Sequence, residues 1–71
     1  MNSVNPKALL HSKWTKKHVE NREKHFVITK VERDEDNRVV ECLIQAVINL
    51  NEYSIDWRDL KDVSLWRQGW Q

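Results

Sequence analysis

The sequence predicts a small, mainly β domain: a three- to four-stranded antiparallel meander with a short helical turn near each end. Three observations carry this. Two segments rich in β-branched residues, His25–Glu32 (HFVITKVE) and Arg38–Leu50 (RVVECLIQAVINL), flank the acidic turn Asp34-Glu35-Asp36-Asn37, which is a hairpin signature. One Gly and one Pro in 71 residues leave no room for a linker or a low-complexity tail. Four Trp are a heavy allotment for so short a chain. A domain of this size buries only about 60% of the surface its unfolded chain exposes, so large aromatics have to supply much of the core.

Taken in order, Asn5-Pro6 reads as an N-cap followed by proline in the first helical position, opening a turn over Lys7–Leu10 whose two leucines pack down on the sheet. His11–Thr15 reads as a short strand with Trp14 pointing inward, continued by Lys16-Lys17-His18, and Glu20-Asn21-Arg22-Glu23 is a polar connection. Pairing residues 12–18 with 25–31 completes a three-stranded meander, about the minimum for independent stability. Within the central hairpin, setting Arg33 opposite Arg38 pairs Val31 with Val40, Thr29 with Cys42, Val27 with Ile44 and His25 with Ala46, which makes one face largely apolar. Tyr53-Ser54-Ile55 reads as a further short strand. Asp56–Asp62 reads as one helical turn capped by Ser54 or Asp56, with Trp57 and Leu60 on one side. The tail Val63–Trp70 is aromatic and is expected to fold back onto the sheet. A curl toward an SH3-like barrel is compatible with this pattern. The alternative is an α+β arrangement with a C-terminal helix over 56–66.

The whole chain, 1–71, reads as one domain. A single Cys42 has no partner for an internal disulfide, which suits a reducing compartment, and neither a membrane-spanning apolar run nor a signal-peptide core is visible. A cytoplasmic protein with no membrane association, taken as a monomer, is the expectation. Net charge is +1, but residues 1–30 carry seven Lys/Arg against two Glu and residues 31–71 carry five against nine Asp/Glu.

The pattern Asn5-Pro6-x-x-Leu9-Leu10-x-Ser12-Lys13-Trp14-Thr15, then Lys24-His25-Phe26-x-x-Thr29, then Asp56-Trp57-Arg58-x-Leu60-x-Asp62 and a closing Trp66-x-x-Gly69-Trp70, resembles a family of small tryptophan-rich bacterial proteins of unknown function. The resemblance runs over almost the whole chain and implies a stand-alone cytoplasmic bacterial protein with no assigned activity. Lys16-Lys17-His18 is where this sequence is expected to differ most from its relatives.

Chemistry-bearing motifs are sparse. No nucleophile elbow, paired catalytic carboxylates or glycine-rich phosphate loop is present, and Asp56, Asp59 and Asp62 read as a solvated helix start. His11, His18 and His25 with Cys42 lack metal-ligand spacing. No catalytic residue, cofactor or metal is therefore expected, and the chain is not read as an enzyme. Two readings stay open. One is an interaction or accessory module that offers a sheet edge or an aromatic groove to an unidentified protein partner. The alternative is a nucleic-acid binder that uses the basic Lys13–Lys24 stretch with Trp14. The candidate surface common to both comprises Lys13, Trp14, Lys16, Lys17, Arg22 and Lys24, together with the tail residues Trp66 and Trp70. For each Trp the competing reading is burial in the core.

Overall fold

The computed structural model describes residues 1–71 as one antiparallel sheet of five strands: β1 (Lys13–Glu20), β2 (Glu23–Arg33), β3 (Val39–Ala46), β4 (Glu52–Ser54) and β5 (Trp66–Gln68). Their order across the sheet is β4-β3-β2-β1-β5. The first four strands form the expected meander, and the tail adds the fifth by pairing with β1, Trp14 opposite Gln68 and Lys16 opposite Trp66. The sheet is open, with β4 and β5 as its two edges, so it does not close into a barrel. Both edge strands are three residues long, which limits edge-to-edge association.

Two 3-10 turns lie outside the sheet. The first, Pro6–Ala8, starts as predicted: the Asn5 side chain accepts from the Lys7 amide, and proline fills a position whose amide would have no partner. The second, Trp57–Lys61, is capped by Asp56, whose carboxylate accepts from the Arg58 amide. It stops at Asp62 and the chain enters β5, so the C-terminal helix over 56–66 does not form. The tail instead satisfies its backbone on β1, where Gly69 (φ +74) turns the chain and donates to the Lys13 carbonyl.

One face of the sheet holds the core. Trp14, Phe26, Ile28, Cys42, Ile44, Ala46 and Trp66 are buried there, and Leu9 and Leu60 close over them from the two 3-10 turns. Asn2 ties the second turn to β5, its side-chain amide donating to the carbonyls of Leu60 and Trp66. Leu9 is fully buried but Leu10 is half exposed, so only the first leucine packs as expected.

The central hairpin corrects the predicted register. Phe26 pairs with Ala46 and Ile28 with Ile44, one residue off the expected alignment, and the offset grows by one more after Ile28, so that Val31 meets Cys42. Thr29 is the extra residue, a β-bulge, and a second irregularity at Val40 restores the count before Arg33 pairs with Val39. Of the inward set predicted on β3, Cys42, Ile44 and Ala46 are buried, whereas Val40, at the second irregularity, is 62% exposed. On β2 the inward residues are Phe26 and Ile28 rather than His25 and Val27, because a one-residue shift exchanges the faces of a strand.

Candidate binding faces at the bulge in β1

The β1–β2 turn is a two-residue hairpin: Glu20 pairs with Glu23, and Asn21 (φ 52) and Arg22 (φ 63) both take left-handed backbone. That conformation matches the twist of the flanking strands. Between this turn and the pair Thr15–His25, the strands fall out of step. Lys16, Lys17, His18 and Val19 on β1 lie opposite a single β2 residue, Lys24. A bulge of this size re-aims side chains and opens the sheet locally. It does so in the most basic part of the chain.

On the sheet face away from the core, a depression of about 370 Å³ lies beside the bulge. Lys16, Lys17, Lys24 and Arg67 surround it, with Thr15 and Gln71 between them and no Asp or Glu side chain in the lining. Arg67 arrives there because β5 sets it opposite Thr15. Thr15 is buried and bonded into the tail: its hydroxyl donates to the Gly69 carbonyl and accepts from the Gln71 amide. Beside the depression stands Trp70, 46% exposed. Its indole N–H donates to the Phe26 carbonyl at 2.9 Å, the Lys13 ammonium lies 4.8 Å from its ring centroid, and the His25 ring centre is 5.9 Å away. The indole is thus held by one edge while much of it faces solvent.

The predicted surface residues divide accordingly. Lys16, Lys17 and Lys24 come together, and Lys13 joins Trp70. Arg22 lies in the hairpin turn and is not part of the depression. Trp14 and Trp66 leave the candidate surface: they are 3% and 7% exposed, with Trp14 donating to the Ser12 hydroxyl and Trp66 packed edge-on against Phe26. Trp57 is half buried, and its ring is flanked by the Arg58 and Lys61 cations, 5.6 and 5.0 Å from the centroid. Arg67 and His25 were missed in the sequence. Alternation along Trp66-Arg67-Gln68, read as a strand with Trp66 inward, was the available signal for Arg67.

A second missed feature is Glu23, a carboxylate only 4% exposed. The Tyr53 hydroxyl lies 2.8 Å from both of its oxygens, and the amides of Asn49 and Asn51 donate to Oε2 at 2.9 and 3.2 Å. These bonds hold its carboxyl below the usual range, the Asn49 amide first, against the opposing pull of desolvation. The same carboxylate pushes the Tyr53 hydroxyl upward. Through these bonds one β2 side chain ties down Asn49 and Asn51 of the β3–β4 connection; Leu50 between them takes φ 64, its amide donating to the Ala46 carbonyl. No lone glutamate in a polar stretch announces such a role from sequence.

Elsewhere the structure holds no cluster of three or more His, Cys, Asp or Glu side chains suited to a metal, and no helix long and apolar enough to cross a membrane. Cys42 is buried, and desolvation followed by the Asp56 charge raises its thiol above the ordinary value. No curated protein and no solved structure matches the chain. Residues 12–71 match the family model described as Tryptophan-rich protein (DUF2389), a family of unknown function, and the chain belongs to that family.

Proposed function

We propose that the protein is a non-enzymatic binding module whose working surface is the basic face at the β1 bulge, and that its partner there is single-stranded nucleic acid. The observation that carries this reading is the gathering of Lys16, Lys17, Lys24 and Arg67 around one depression that no Asp or Glu side chain lines. Such a cluster neutralises a run of phosphates rather than a single ion. The exposed Trp70 ring alongside, with the Lys13 cation on it, supplies the stacking surface that single strands use and that bases inside a duplex cannot reach. The acidic half of the chain, residues 31–71, puts no Asp or Glu side chain into the lining. Its Glu32 is paired with Lys30 at 3.0 Å, and Glu41 lies 3.8 Å from the same ammonium.

The test is fluorescence anisotropy with a labelled oligothymidylate at two salt concentrations. Neutralising four phosphates predicts a log–log salt slope of about −3, since each contact on a single strand contributes about −0.7. The combined variant Lys16→Ala, Lys17→Ala, Lys24→Ala and Arg67→Ala should bind at least tenfold more weakly, the order expected when several phosphate contacts are removed, while keeping the wild-type denaturation midpoint. A flat titration at low salt, or equal binding by the variant, contradicts the reading.

A further inference from the structure

On the core side of the sheet, the same bulge opens a groove of about 290 Å³ between the β1–β2 turn and β4. Its lining includes Phe26, Ile44, Tyr53 and Trp66, with Glu23 at its polar end and Lys16 on the rim. We infer that this groove binds a small organic cation: a primary ammonium on a short apolar stem, with the ammonium at Glu23 and the stem against Tyr53, Ile55 and Trp66. The inference does not rest on nucleic-acid binding on the opposite face, although Lys16 borders both sites.

Three features carry it. Glu23 is a buried carboxylate whose hydrogen-bond donors, Asn49, Asn51 and Tyr53, are all neutral, and no cationic group of the chain lies within 4.0 Å of it. Buried charges are ordinarily paired, so the site lacks the counter-charge that a cationic ligand would bring. Lys16 is the one base whose charge acts on the carboxyl, and its influence is smaller than those of burial and the three hydrogen bonds.

The walls come next. Aromatic rings attract cations as well as apolar stems, and the groove has Tyr53 and Trp66 on its sides. A carboxylate ligand would meet Glu23 and Glu20, and a neutral one would leave the buried charge uncompensated.

The unequal use of the two Glu23 oxygens then selects among cations. Oε2 already receives Asn49 and Asn51 and shares the single Tyr53 hydroxyl proton with Oε1, which has no other donor. One free acceptor suits an ammonium, a compact donor. A guanidinium fork needs both oxygens, and a quaternary ammonium has no N–H to give.

The test is titration of the intact protein with n-butylamine at neutral pH, followed by amide and indole ¹H–¹⁵N correlation spectra. The butylammonium ion should shift the Tyr53 amide and the Trp66 indole signals saturably, with n-butanol, n-butylguanidine and tetramethylammonium each weaker. Glu23→Gln should cost about tenfold or more in affinity, as removal of one member of a buried charge pair does. Because that variant also loosens the β3–β4 connection, Lys16→Gln serves as the second arm. It leaves the Glu23 network intact, removes a competing cation and should tighten binding about twofold. The inference is overturned if butylammonium shifts nothing, if butanol or butylguanidine binds as well, or if Lys16→Gln weakens binding.

Discussion

The core face of the sheet is closed in two different ways at its two ends. Near the start of β1 the closure is apolar: Leu9 and Leu60, from the two 3-10 turns, complete a cluster with Trp14, Ile28 and Cys42, all nearly inaccessible. Near the β1–β2 turn it is polar. Glu23 gathers Tyr53, Asn49 and Asn51 around a buried carboxylate, and a groove stays open beside it. The apolar end draws on area removed from water, which is insensitive to pH and leaves no chemistry behind. The polar end depends on one ionised group that must keep all its donors, so it titrates and can respond to a ligand. The bulge in β1 sits at the polar end, and both candidate surfaces lie there.

Breaking the apolar end should have the largest effect. Leu60→Ala removes a fully buried side chain from a well-packed cluster and should cost about 2–5 kcal/mol, read as a lower denaturant midpoint at neutral and acidic pH alike. In a chain this short, that approaches the whole stability margin.

The polar end should break with acid. Glu23 has a folded carboxyl value below its ordinary 4.5, so its stabilising contribution is complete above the value of the unfolded chain and disappears as pH falls through the lowered folded value. The denaturation midpoint should therefore drop in acid, and Glu23→Gln should flatten that dependence while lowering the midpoint at pH 7. Glu32 and Asp62 are lowered as well, by Lys30 and by Ser64, but they sit in solvent, so a shallow residual slope is expected in the variant. Tyr53→Phe removes one donor and should act in the same direction by less. A midpoint in Glu23→Gln that still falls as steeply in acid as wild type would place the acid sensitivity elsewhere.

The cap of the first 3-10 turn sharpens the comparison from the small side. Asn5→Ala loses the bond to the Lys7 amide and should cost about 1 kcal/mol, within the 0.5–2 kcal/mol typical of such caps, without changing the pH profile. A pH-dependent loss there would blur the division between the two ends.

What the sequence made legible follows the same division. The apolar pattern gave the strands of the meander, the inward face of β3, both capped turns and the return of the tail onto the sheet. Local signals were enough for these, since Asn5-Pro6 and Asp56 act within a few residues. Thr29 was not legible: a bulge at a β-branched residue leaves no mark in composition, yet it moves Phe26 and Ile28 into the core and His25 and Val27 out of it. Of the candidate surface, the lysines of β1 and Lys24 were visible as a basic run. That Arg67 joins them and Trp66 does not depends on how β5 pairs with β1. The Glu23 hub was invisible because its partners lie 26 to 30 residues away. Long-range polar networks are fixed by topology, which single-sequence pattern does not encode.

The most direct test of the account is the emission of Trp70 during titration with oligothymidylate at low salt. Trp70 is the most exposed of the four indoles and stands beside the basic depression. Base stacking on it should quench the protein's emission saturably, and the quenching should vanish in Trp70→Ala, with binding weakened by about 1–3 kcal/mol. An emission unchanged by oligonucleotide at low salt, or a quench that survives Trp70→Ala, would contradict it.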